Sequence, residues 1–107
     1  MTLSQKKCIP CSVGTPPLKG AALLPPKAEL KPEWKIVEEH HLERDYKFPD
    51  FKTALAFTNK VGALAEEEGH HPDITLAWGK VKLVLWTHKI GGLSESDFVF
   101  AAKCDLL

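Results

Sequence analysis

The feature that most limits how this chain can fold is the segment Asp73 to His88, "DITLAWGKVKLVLWTH", where apolar and polar residues alternate on both sides of Gly79 and Lys80. Alternation with period two suits strands buried on one face, and a glycine opening a two-residue connection suits a type II′ hairpin. With Gly79 and Lys80 as the turn, Trp78 pairs with Val81, Leu76 with Leu83 and Ile74 with Leu85. Carried outward, the same ladder sets His71 opposite His88, with facing Cβ atoms about 5 Å apart. Trp78, Leu76, Ile74, Val81, Leu83 and Leu85 then share an apolar face, while Asp73, Thr75, Ala77, Lys82, Val84, Trp86 and His88 share the other. His70 stands just past Gly69, where the turn into the strand can aim it at the same space. Glu66 precedes it by one helical turn, in range to orient an imidazole.

Upstream, "FPDFKTALAFTNKVGALAEEEG" reads as a helix. Pro49 fits a first turn, Asp50 complements the positive helix end, and Gly69 suits the C-terminal cap. Phe51, Ala54, Leu55, Thr58, Val61, Leu64 and Ala65 form one stripe, expected to face the core. Before it, "WKIVEE" and "HHLERDYKF" suit two antiparallel strands with one wet face, and His40 and His41 fall where they join, as solvated surface. After the hairpin, "LSESDFVFAAKCDLL" reads as a C-terminal helix whose Ser94 and Asp97 have capping-box spacing. Strands and helices in this order exclude regular parallel crossovers and imply an α+β fold, with helices packed on one face of an antiparallel sheet.

Residues 1–28 differ in kind. Pro10, Pro16, Pro17, Pro25, Pro26, Gly14 and Gly20 forbid a long helix or a central strand, so this stretch is expected to be an extended or poorly ordered arm, with the domain proper at 29–107. Cys8 and Cys11 in the arm have the CxxC spacing of half a zinc site or a redox pair, but neither a second pair nor a preceding strand accompanies them, so ordinary tail cysteines are expected. Cys104 makes the cysteine count odd, which argues against a disulfide framework and for reduced thiols. The 14 Lys and Arg balance 14 Asp and Glu, so no net field gathers nucleic acid. No apolar run approaches the roughly 18 residues of a membrane span, and the start has no secretory core segment, so a cytoplasmic protein is expected.

Glu66, His70-His71-Pro72, Trp78, His88 and Asp97 together match the signature of a known family, and the chain from about Trp34 to the C-terminal "AAKCDLL" resembles the pterin-4a-carbinolamine dehydratases, known also as dimerisation cofactors of a homeodomain transcription factor. The resemblance implies a four-stranded antiparallel sheet with helices on one side, assembled as a homodimer or homotetramer. It implies dehydration of 4a-hydroxytetrahydrobiopterin to quinonoid dihydrobiopterin, in recycling the cofactor of aromatic amino acid hydroxylases, with no metal or redox cofactor. Carried over by position, His70, His71 and His88 are the catalytic histidines: His70 and His88 as acid and base, His71 binding and orienting the pterin. Glu66 is expected to orient the cluster, and Trp78 and Trp86 to wall the ring or pack. Asp97 is open between helix cap, support of the histidines and direct chemistry.

Two rival functions are distinguishable. A binding module, a coactivator that stabilises a transcription regulator's dimer, would use helix surfaces away from the histidines. A three-histidine zinc site would need the adjacent His70 and His71 to converge, whereas neighbours on a strand diverge, and the nearby carboxylates suit proton transfer.

Overall fold

The computed structural model describes residues 2–9 and 13–107. Four strands, β1 (Lys35–Val37), β2 (His41–Lys47), β3 (Asp73–Ala77) and β4 (Lys80–Leu85), form one antiparallel sheet in the order β1-β2-β4-β3. Helices α2 (Phe51–Glu68) and α3 (Glu95–Cys104) cover one face of it, and a short α1 (Leu24–Ala28) precedes β1. The α+β class and the four-stranded sheet are therefore as the sequence implies. Leu42, Val81, Leu83 and Leu85 point into the core from the sheet and meet Ala54, Val61 and Ala65 of α2 and Phe98, Phe100 and Ala101 of α3, all buried. Between β1 and β2, Glu38 and Glu39 both take positive φ (53° and 54°), the backbone of a type I′ connection, and His40 donates its N–H back to Val37 at 2.9 Å.

The second hairpin keeps the expected faces but not the expected register. Ala77 pairs with Lys80, Leu76 with Val81, Ile74 with Leu83 and Asp73 with Val84, so Trp78 and Gly79 are the turn residues. The positive φ belongs to Gly79 (69°), the second turn position, where a type II′ turn would need it at the first. Packing sets this choice. Phe48 donates its N–H to the Gly79 carbonyl at 2.8 Å, and a Cβ on Gly79 would lie 2.9 Å from the Phe48 oxygen. Because each partner moves by two residues, side chains stay on their predicted faces. Trp78 is the exception: it leaves the apolar face for the hairpin tip, 73% exposed. His71 and His88 are not ladder partners either, since β4 ends at Leu85 and His88 opens a 3₁₀ turn, His88–Ile90.

Helix α2 begins two residues later than a proline in its first turn would set it. Asp50 is the N-cap, accepting from the Thr53 N–H at 2.8 Å, and Pro49 precedes it. Gly69 closes the helix at φ 64°. The buried stripe is Ala54, Phe57, Val61 and Ala65, whereas Phe51 and Leu55 are partly exposed. Phe57 displaces them because it finds aromatic partners, Tyr46 and Phe48, with ring centroids at 4.5 and 5.2 Å. At the end of α3, Asp105 accepts from Trp34 Nε1 (2.9 Å), Arg44 Nη1 (2.8 Å) and the Tyr46 hydroxyl (2.5 Å), fastening the helix to β2. Burial, and then that carboxylate, push the Tyr46 phenol far above its ordinary range and keep it a donor.

The proline-rich segment lies against this body. Leu3 and Leu23 are each 3% exposed within the core cluster. Lys103 Nζ donates to the Ser4 carbonyl (3.1 Å), Lys6 pairs with Glu95 (3.0 Å), and Leu18 donates its N–H to Leu93 O (2.8 Å). Among the described residues its regular structure is two 3₁₀ turns, Leu3–Gln5 and Gly20–Leu23, and the five residues of α1, as its breakers allow. Cys11 lies outside the described residues.

Candidate active site

A cavity of about 310 Å³ opens where the end of α2, the end of β4 and the start of α3 meet, lined by His70, His71, Trp86, Thr87, His88 and Ile9 among others. The three histidines thus converge, though by a route other than the strand ladder. Gly69, in the left-handed conformation, reverses the chain and presents His70, whose N–H still bonds back to Ala65 O at 3.2 Å. His88 comes from the 3₁₀ turn that follows β4, two residues after Trp86.

Each histidine has a distinct setting. His70 is largely buried, and its Nε2 donates to Asp97 Oδ1 at 2.6 Å. Asp97 is wholly buried, and its other oxygen accepts from Thr87 Oγ1 (2.8 Å) and the Ser94 N–H (2.9 Å). A buried carboxylate costs much unless it is paired and hydrogen-bonded, and this one has both forms of support. The capping box with Ser94 is present, so the cap and the support of a histidine are the same carboxylate. His71 is exposed and donates Nε2 to Glu66 Oε2 at 2.5 Å. Glu66 therefore orients His71, not His70. His88 is exposed and stacks on Trp86 at 3.9 Å between ring centroids. Trp86 is half-buried in the cavity wall, while Trp78 at the hairpin tip lines no part of it.

Several participants were not legible in the sequence. Thr87 shares a hydrogen bond (2.8 Å) with the cap residue Ser94 behind Asp97, and only its closeness to His88 marked it. His40, expected to be solvated surface, lies with its ring 4.5 Å from that of Trp86 and shares a hydrogen bond with His41 (3.1 Å). The strand ladder puts Leu42 beside Leu85, which carries the preceding turn alongside Trp86. Ile9 and Ser96 reach the cavity from the arm and from α3, and nothing in their local sequence signals it. Beside them Cys8 is half-buried; burial, reinforced by the charge of Glu68, pushes its thiol up to about 12, which makes it a neutral packing group rather than a nucleophile.

Comparison with known proteins shows the family. The family described as pterin 4 alpha carbinolamine dehydratase matches residues 17–107. A protein of Alkaliphilus metalliredigens whose name places it in that family is 62% identical over 96% of this chain and 93% of its own. Among solved structures, the transcriptional coactivator/pterin dehydratase from Brucella melitensis superposes with a TM-score of 0.78 at 30% identity, covering 84% of this chain and 96% of that one. A pterin dehydratase-like protein described as a RuBisCO assembly factor in the alpha-carboxysome follows, with a TM-score of 0.59 at 26% identity over 69% of this chain and 87% of that one. With a profile match over most of its length and a relative of this similarity, the chain belongs to the pterin 4 alpha carbinolamine dehydratase family.

Proposed function

We propose that the chain dehydrates 4a-hydroxytetrahydrobiopterin to quinonoid dihydrobiopterin and water by metal-free histidine acid/base catalysis, in cytoplasmic tetrahydrobiopterin recycling. The observation that carries this reading is a single cavity in which His70, backed by the buried Asp97, faces the same space as His71 and His88. The reaction asks for two proton transfers. An acid protonates the C4a hydroxyl as the C–O bond breaks and water leaves, and a base takes the N5 proton so that its electron pair forms the N5=C4a bond. Imidazole suits both tasks near neutral pH. In this reading His70 and His88 are the acid and base, and His71, steadied by Glu66, binds and orients the pterin. Asp97 fixes the orientation of the His70 ring through the bond to Nε2. Trp86 offers a flat apolar surface to the ring, with His88 stacked on it. The metal-free form is favoured because Nε2 of His70 and of His71 each already serve a carboxylate, an arrangement suited to moving protons.

The test supplies freshly formed 4a-carbinolamine and follows the quinonoid product by absorbance against the uncatalysed rate. His70→Ala or His88→Ala should slow dehydration by about 10² to 10⁴-fold with the fold retained, and the double variant should fall short of the product of the singles. His71→Ala should act mainly on KM. A chelator should leave the rate unchanged. Wild-type rates in both the His70 and His88 variants would overturn the assignment. A second reading, a binding module that stabilises a regulator's dimer, draws on the coactivator named in the Brucella melitensis structure; partner binding that survives loss of all three histidines would favour it.

A further inference from the structure

Ile9 is an isoleucine 73% exposed, yet both of its backbone polar groups are hydrogen-bonded to one buried side chain. The Ser96 hydroxyl accepts from the Ile9 N–H at 2.9 Å and donates to the Ile9 carbonyl at 2.9 Å. One residue earlier, the Cys8 N–H donates to Glu68 Oε1 at 2.9 Å, and the Cys8 thiol reaches the Ser96 carbonyl at 3.5 Å. Ser96 is buried in the first turn of α3, one residue before Asp97, and Glu68, 6% exposed in its side chain, closes α2 two residues before His70. The same two helix ends that position His70 and its carboxylate therefore also hold Ile9 at the rim of the cavity. The side chain itself takes no part in the buried core. It lines the cavity with most of its surface open, the one aliphatic side chain apart from the stem of Lys89 in a lining of three histidines, Trp86, Gly69, Thr87 and Ser96.

We infer that Ile9 is a substrate-binding residue: the arm carries it to the cavity so that its side chain covers the flat bicyclic ring of the pterin, with Ser96 and Glu68 as the residues that position it. This rests on the proposed dehydration and adds a contact outside the histidine signature. An apolar contact of this kind acts alike on ground state and transition state, so its signature is a change in KM at constant kcat. Removing three buried carbons from such a contact corresponds to about tenfold or more in affinity.

The experiment uses the full chain with Ile9→Ala, Ile9→Val and Ser96→Ala, each measured for dehydration kinetics, for equilibrium binding of oxidised biopterin through quenching of tryptophan fluorescence, and for thermal unfolding. Expected are a rise of about tenfold in KM and in Kd for Ile9→Ala, kcat within about twofold of wild type, near-normal behaviour for Ile9→Val and an unchanged unfolding temperature for both. Ser96→Ala should raise KM and Kd in the same sense. Wild-type KM and Kd in Ile9→Ala would overturn the inference, as would a loss that appears only as lower thermal stability. A wild-type chain that binds biopterin without dehydrating the carbinolamine sinks the proposed reaction while the Kd comparison still decides the role of Ile9. A wild-type chain that neither binds nor reacts sinks both.

Discussion

Asp97 joins a helix cap and a histidine contact in one carboxylate. One oxygen of its carboxylate caps α3 through the Ser94 N–H and takes the Thr87 hydroxyl, and the other takes His70. The two roles separate by substitution. Asp97→Asn keeps a side chain of the same shape but replaces one acceptor with a donor, so either the cap or His70 loses its partner. It should lower kcat by about 10²-fold and also lower stability. Ser94→Ala removes a cap hydroxyl and leaves the Asp97–His70 bond in place, so it should cost about 1 kcal/mol of stability with kcat reduced less than tenfold. Urea unfolding beside steady-state kinetics measures both. An Asp97→Asn variant that is destabilised but fully active would confine the carboxylate to capping. His40 is the opposite case, for its side chain had no sequence signal. Its place beside Trp86 follows from the positive-φ turn at Glu38 and Glu39 and from the β2–β4 register, both of which join residues distant in the chain.

At the scale of elements, the two hairpins and α2 formed where periodicity put them, and the disagreements lie at their ends. Gly79 illustrates why. Its positive φ and the Phe48 carbonyl 2.9 Å from a would-be Cβ fix the β3–β4 turn. Gly79→Ala should therefore destabilise the chain by about 2 kcal/mol. Gly62 has the reverse setting, inside α2 with open space around it and no positive φ. Gly62→Ala should stabilise by about 0.5–1 kcal/mol, because alanine lowers the entropy cost of the helix with nothing to strike. Chemical denaturation of the two variants gives the signs directly. Equal effects of the same sign would mean that the Phe48–Gly79 contact does not set the turn.

For the whole molecule, we propose that residues 29–107 carry the fold and the catalytic histidines, and that residues 1–28 are an accessory arm fastened to them. The burial of Leu3 and Leu23 sets the expected cost of its removal: about 1.5–3 kcal/mol for each such side chain, as an upper range. A chain begun at Glu29 should keep its circular dichroism spectrum and melt at lower temperature. An unfolded truncation would show that the arm completes the core. We also propose self-association as a homodimer or homotetramer, since α2 leaves Phe51 and Leu55 partly exposed and the outer strands β1 and β3 have free edges within a single chain. Sedimentation of the full and shortened chains tests this together, and a strictly monomeric full chain at micromolar concentration would contradict it. Among the described residues no helix is long and apolar enough to cross a membrane.

The sequence by itself determined the α+β class, the faces of the strands, the span of α2, the capping box of α3 and the identity of the histidine cluster. These rest on short-range rules: side-chain alternation, helical period, cap chemistry and a motif of fixed spacing. Tertiary structure alone decided the hairpin register, which depends on Phe48 from another element, and the choice of Phe57 over Phe51 and Leu55, which depends on Tyr46 and Phe48. It decided likewise that Glu66 pairs with His71, that Asp97 reaches His70, and that Ile9 comes to the cavity through Ser96. Each of those outcomes turns on where two elements meet in space, a distance that no local pattern along the chain encodes.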